Sequence, residues 1–206
     1  MRGSGIDSGV GRTWRGLRRA AWLTPLLGAL LAAGGSVGAE ESGAAQAKAE
    51  SGVRDFMVVA EVLLSPRCRN CHPAGDIPLN SDMGTLHAMN VSRRSPKAGL
   101  DCTACHRSEN LQVLNGPPGV PDWHMTSAEM PMIFEGRTAG ELCKQLKDPA
   151  QTGNRKVEDV VEHMEHDKFV LWAWNPGPGR TTPPVSHGDL MKRVRGWVSA
   201  GAPCPP

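Results

Sequence analysis

Two thiols and an imidazole recur in one fixed pattern at two places in the chain: Cys68-Arg69-Asn70-Cys71-His72 and Cys102-Thr103-Ala104-Cys105-His106. A histidine directly after a Cys-x-x-Cys pair is the spacing of covalent haem attachment. The sulfurs form thioethers with the porphyrin vinyl groups, and the imidazole binds the iron from the proximal face. The pattern predicts two haem c groups, held by Cys68, Cys71, Cys102 and Cys105, with His72 and His106 as proximal ligands. Two haems on 206 residues are most simply read as a path for single electrons. The competing chemistry is tetrahedral zinc, since the two pairs together offer four thiolates. A histidine after both pairs and an export signal favour haem. A thioredoxin-like redox pair would require alternating strands and helices around the motif, a pattern this chain lacks.

The sixth position on each iron decides between electron transfer and open-site chemistry. Five histidines remain for it: His87, His124, His163, His166 and His187. His87 lies midway between the motifs, within reach of either iron, and ranks first as a distal ligand. His124 follows Trp123 on a stiff Pro-rich turn and ranks second, as a ring expected to be buried beside an apolar partner. His163 is the third candidate, about 110° from the centre of the Val157, Val160, Val161 and Met164 stripe at the 100° per residue of a helix. His166 falls nearly opposite that stripe, and His187 sits at a helix cap. Met83, Met89, Met125, Met130, Met132 and Met164 are the competing thioethers. Cys143 and Cys204 are left after the haem thiols are assigned, and in an exported chain the economical reading is one disulfide.

The elements that must position these groups read as mainly α with long irregular loops, with no convincing strand: a small single domain whose core is built around the two haems. Val53, Phe56, Met57, Ala60, Leu63 and Leu64 recur at helical spacing, and Ser65-Pro66 ends the run just before the first motif. Residues 73–101 are loop-like in composition. Gly116-Pro117-Pro118-Gly119-Val120-Pro121 is a turn-rich connection that would aim Trp123 and His124. Thr138 with Glu141 forms a capping-box pattern that opens a helix through Lys147. Further helices are predicted over about 155–167 and 186–200, the last with Leu190, Val194 and Trp197 inward. Aromatic residues are only 4% of the chain and tyrosine is absent, so side chains alone would build a thin core.

The N-terminus reads as a secretory signal over residues 1–39. Arg15, Arg18 and Arg19 precede the apolar run Ala20–Ala33, and small residues end at Ala39, the expected cleavage point. The run is too short for a span of ~20 residues, so no stable membrane span is expected after cleavage. Residues 40–52, rich in Ala, Gly, Glu and Ser, read as a flexible leader, and residues 53–206 as the dihaem cytochrome c domain. Removing five arginines and one aspartate with the signal leaves 18 basic and 20 acidic side chains in 167 residues. A net charge of −2 excludes a nucleic-acid footprint. The expected location is the periplasm, where c-type haem is attached.

The order of motifs resembles a family of small exported dihaem c-type cytochromes, often labelled as a subunit of isoquinoline 1-oxidoreductase. The residues that carry the likeness are Cys71-His72-Pro73-Ala74-Gly75-Asp76, His87-Ala88-Met89-Asn90-Val91, Cys102–His106, Pro117-Pro118-Gly119 with Trp123-His124, Leu142–Pro149 and Val170–Gly177. The resemblance spans about residues 68–205. It implies an electron-accepting cytochrome associated with a molybdenum hydroxylase, partnered by a dehydrogenase or another cytochrome. The chain keeps no further cysteine set for iron–sulfur clusters of its own. The alternative function is a haem enzyme with one open iron, a peroxidase or small-oxyanion reductase, in which His124 or His163 would serve as a pocket acid.

Overall fold

The periodic stretch after residue 53 forms the second half of a 28-residue helix, α1 (Ser36–Leu63), in a computed structural model that describes residues 36–206. The export segment read over 1–39 lies outside the described residues except for its last four, which begin α1. Phe56, Val59, Ala60, Val62 and Leu63 are buried, whereas Met57, placed on the same stripe by spacing, stands 44% exposed. Residues 40–52 are not an irregular leader: they continue the helix. Ala44, Ala45, Ala47 and Ala49 have the highest helix propensity of any residue type, and the Gln46 side chain donates to Glu50 one turn on. That propensity outweighs Gly43 and Ser42. At Gly52 α1 meets the C-terminal turn, where a Cβ would lie 2.6 Å from that of Ala200.

After α1 come the short helix α2 (Pro66–Arg69), with proline at its first position, and a two-residue antiparallel hairpin, β1 (Leu79–Asn80) and β2 (Thr85–Leu86). Sequence patterning could not find strands of this length. Residues 87–138 contain no element longer than a single 3₁₀ turn. The helical half then resumes with α3 (Ala139–Lys147), α4 (Pro149–Thr152), α5 (Val157–His166), α6 (Lys168–Trp172) and α7 (His187–Ser199).

The caps read from sequence are present. Thr138 accepts from the Glu141 amide while the Glu141 carboxylate accepts from the Thr138 amide, which holds that carboxyl below its usual range. Ser186 accepts from the Asp189 amide at the start of α7. Thr138→Ala should lower stability by about 1 kcal/mol, read as a lower denaturation midpoint at unchanged slope.

The core joins α1, α3, α5 and α7 through Phe56, Leu142, Leu146, Val160, Met164, Leu190, Val194 and Trp197. Phe56 and Trp197 meet at 4.9 Å between ring centroids. The helical half therefore has a side-chain core of its own, which Cys68 and Met132 border. The expected disulfide is formed: Cys143 in α3 is bonded to Cys204, with Cα atoms 5.5 Å apart. Among the described residues no helix is long and apolar enough to cross a membrane.

Candidate functional site

Both Cys-x-x-Cys-His motifs begin in a helical turn, the first running from α2 and the second starting in the 3₁₀ turn Cys102–Ala104. The turn returns each histidine amide to its first cysteine: His72 N donates to Cys68 O at 3.2 Å and His106 N to Cys102 O at 2.9 Å. Two thiols and one imidazole thus issue from a single short loop. The four motif cysteines are unpaired, and among the described residues no three of His, Cys, Asp and Glu converge at metal-binding distance. Desolvation pushes the Cys68 thiol up to about 12 and the Cys71 thiol up to about 11, and raises Cys102 in the same sense. These are neutral thiols, not activated nucleophiles.

The two proximal candidates are held alike. His72 Nδ1 lies 2.7 Å from the Met132 carbonyl and His106 Nδ1 lies 2.8 Å from the Pro118 carbonyl. A carbonyl can only accept, so Nδ1 carries the proton and the Nε2 lone pair is left for a metal, as in most ligating histidines. Each ring is also stacked: His72 on Phe134 at 4.0 Å and 17°, His106 on Trp123 at 4.5 Å and 7°. Burial drives the His72 imidazolium down to about 4 and lowers that of His106, so both are neutral imidazoles at ordinary pH.

A cavity of about 300 Å³ opens beside the second motif. Cys102, Cys105 and His106 line one side, Cys71 borders it, and His87, Met89, Trp123 and Trp172 contribute elsewhere. His87 stands with its ring centroid 5.9 Å from that of His106, at 50°. Its Nδ1 lies 2.8 Å from the Ala88 carbonyl, which leaves Nε2 free here too. Two imidazoles bound through nitrogen to one metal, at roughly 2 Å each, have centroids about 6 Å apart. The residues present fit a haem: paired thiols, an oriented imidazole, a second imidazole at that separation, and a largely apolar cavity.

His124 is not brought to either motif histidine. It is exposed rather than buried, with Nδ1 held 2.7 Å from the Asp122 carbonyl and its ring edge-on to Phe169 at 4.6 Å. The Pro-rich turn aims its neighbour instead, setting Trp123 against His106. His163 is 41% exposed on the flank of α5, with Nδ1 3.4 Å from Asp167. His166 is exposed beside Glu162. His187 spends Nε2 on the Met164 carbonyl at 2.9 Å, which ties α7 to α5.

Sequence reasoning missed the carbonyl partners Met132 and Pro118, the stacking ring Phe134, and three arginines. Arg93 is buried and donates to the carbonyls of Gly75, Pro73 and Pro131, fastening the loop after the first motif to the segment that holds His72. Arg67 and Arg180 line the cavity. No protein-family model, curated protein or solved structure matches the chain.

Proposed function

We propose that this chain is an exported dihaem c-type cytochrome that carries single electrons between a dehydrogenase and a second redox protein. The observation that carries the proposal is the pairing of His87 with His106 at 5.9 Å inside the cavity that Cys102 and Cys105 border. A haem supplies a one-electron ferric/ferrous couple. The chain's own residues do the rest. Cys68, Cys71, Cys102 and Cys105 would tether the two rings, and Met132 and Pro118 fix the tautomer of His72 and His106. Phe134 and Trp123 cover one face of the His72 and His106 rings, and His87 would supply a second imidazole at the second site. The motif resemblance supports a molybdenum hydroxylase as the electron donor and the periplasm as the location.

One observation favours a second reading. Among the described residues no other imidazole is paired with the His72 ring as His87 is with His106; its aromatic neighbour is Phe134. An open iron at the first site would permit peroxidase or small-oxyanion chemistry, with His163 as a nearby proton donor. Pyridine haemochrome counting, with optical and paramagnetic resonance spectra of the purified protein, separates the readings. Two low-spin haems per chain are expected of the carrier, and one high-spin haem would favour the enzyme. Bound zinc without haem would sink both.

A further inference from the structure

We propose that Arg67, whose only carboxylate partner is Asp82, and Arg180, which has no carboxylate partner among the described residues, form an anion seat in the cavity wall that takes a propionate of the haem bound there. This rests on the dihaem reading above.

Arg67 precedes Cys68 on α2, its side chain is 2% exposed, and it lines the cavity. A buried guanidinium cannot escape its desolvation cost by losing a proton, so it must be matched by acceptors. Its Nη2 pairs with Asp82 Oδ1, but its Nε is buried with no acceptor. Arg180 reaches the same cavity from 113 positions further along the chain. Its Nη2 donates to the Gly116 carbonyl at 2.6 Å and its Nη1 to the Pro176 carbonyl at 3.3 Å. Among the described residues no carboxylate lies within 4.0 Å of it.

Asp82 accepts from the Thr181 amide with its other oxygen at 3.0 Å, so its carboxylate is committed to Arg67 and to that amide and leaves Arg180 unmatched. The acidic residue that lines the cavity, Asp101, is exposed and stands beside Cys102. Burial lowers the pKa of both arginines, and the Arg67 charge lowers that of Arg180 further, with Asp82 opposing in each case. Arg180 therefore leaves this part of the wall, away from Asp101, with one excess positive charge next to space bounded by Pro78, Leu79, Val91 and Trp172. A haem is apolar apart from its two propionates, and the planar fork of arginine matches a carboxylate in two directions.

The same excess charge favours the ferrous form, which carries one positive charge fewer, and it keeps the seated propionate ionised. Potentiometric titration of the holoprotein from pH 5 to 9 tests this, with haem counted in every sample. In the unmodified protein the potentials should not vary with pH on account of the propionate. Arg180→Gln should disfavour reduction of one haem about tenfold, ~59 mV for one electron, and should make that potential fall as pH rises through the propionate's newly raised pKa. Arg180→Lys should keep most of the potential and lose part of the pH independence. Arg67→Gln should act in the same direction. Unchanged potentials and pH profiles in Arg180→Gln, with two haems still attached, would overturn the seat. Fewer than two haems in the unmodified protein would instead remove the dihaem reading, and the proposal with it.

Discussion

Replacing His87 by alanine should convert one of the two haems from low to high spin and leave the other unchanged. The expectation follows from a difference between the two motifs. His106 has a second imidazole with its centroid 5.9 Å away, whose Nδ1 proton is already committed to the Ala88 carbonyl. Truncation removes the only other histidine that lines the cavity, so no replacement imidazole is at hand. Met89 and Met125 also line it, and capture by either sulfur would appear as a low-spin haem at a higher potential, not as an unchanged one. The fold should tolerate the change, because His87 is partly exposed and sits in a loop between a two-residue strand and a 3₁₀ turn. His124→Ala is the matched control. That ring is exposed and turned to Phe169, and its loss should leave the haem at Cys102 and Cys105 unaltered. An unchanged spectrum in His87→Ala would exclude it as a ligand, whatever the status of His106.

The parts of this site that sequence made legible are those whose chemistry requires contiguous residues. On the proposed reading, thioether attachment and proximal ligation would come from one turn, so Cys68–His72 and Cys102–His106 stand in the chain as complete units. The helices behave likewise: the α1 stripe and the Thr138 and Ser186 caps rest on interactions three or four residues apart. What was hidden rests on groups without sequence identity or on long-range pairing. A backbone carbonyl such as Met132 O or Pro118 O is the same atom in every residue, so its selection as the partner of a histidine leaves no mark in composition. Arg67 and Arg180 come to one cavity because Asp82 ties α2 to the loop at Thr181, the residue after Arg180. His124 stands exposed and apart from His106, on which Trp123 is the stacked neighbour; the turn at Asp122, with φ +62°, depends on backbone conformation and leaves no residue-type signature. Residues 40–52 mix leader-like Gly, Glu and Ser with four alanines, and the helix preference of the alanines prevails.

Those long-range ties make the C-terminal disulfide the covalent link whose loss should cost most. Cys143 is fully buried in α3, and its bond to Cys204 closes a loop of 61 residues, for which chain entropy gives about 4 kcal/mol at 25 °C. The tail is also held by polar and steric contacts: Trp197 Nε1 donates to the Pro203 carbonyl at 2.9 Å and Lys147 Nζ to the Ala202 carbonyl at 2.6 Å. Gly140 lies so close to the last two residues that a Cβ there would sit 2.6 Å from the Pro206 carbonyl oxygen. In the folded protein these contacts should keep the tail in place after the bond is removed, so the loss falls mainly on the unfolded chain, which gains freedom. Alanine is the appropriate replacement, because serine at position 143 would bury a hydroxyl in an apolar core. Cys143→Ala with Cys204→Ala should lower the free energy of unfolding of the holoprotein by about 4 kcal/mol, measured by denaturant titration followed through tryptophan fluorescence. Haem content and spectra should be unchanged, since neither cysteine belongs to a motif. A thiol reductant added to the unmodified protein should reproduce the shift, because it cleaves a disulfide but not a thioether. An unaltered midpoint would mean that the hydrogen bonds at Pro203 and Ala202 hold the tail without covalent help, whereas loss of one haem would show that Cys143 or Cys204 serves in attachment and that the thiols have been divided wrongly.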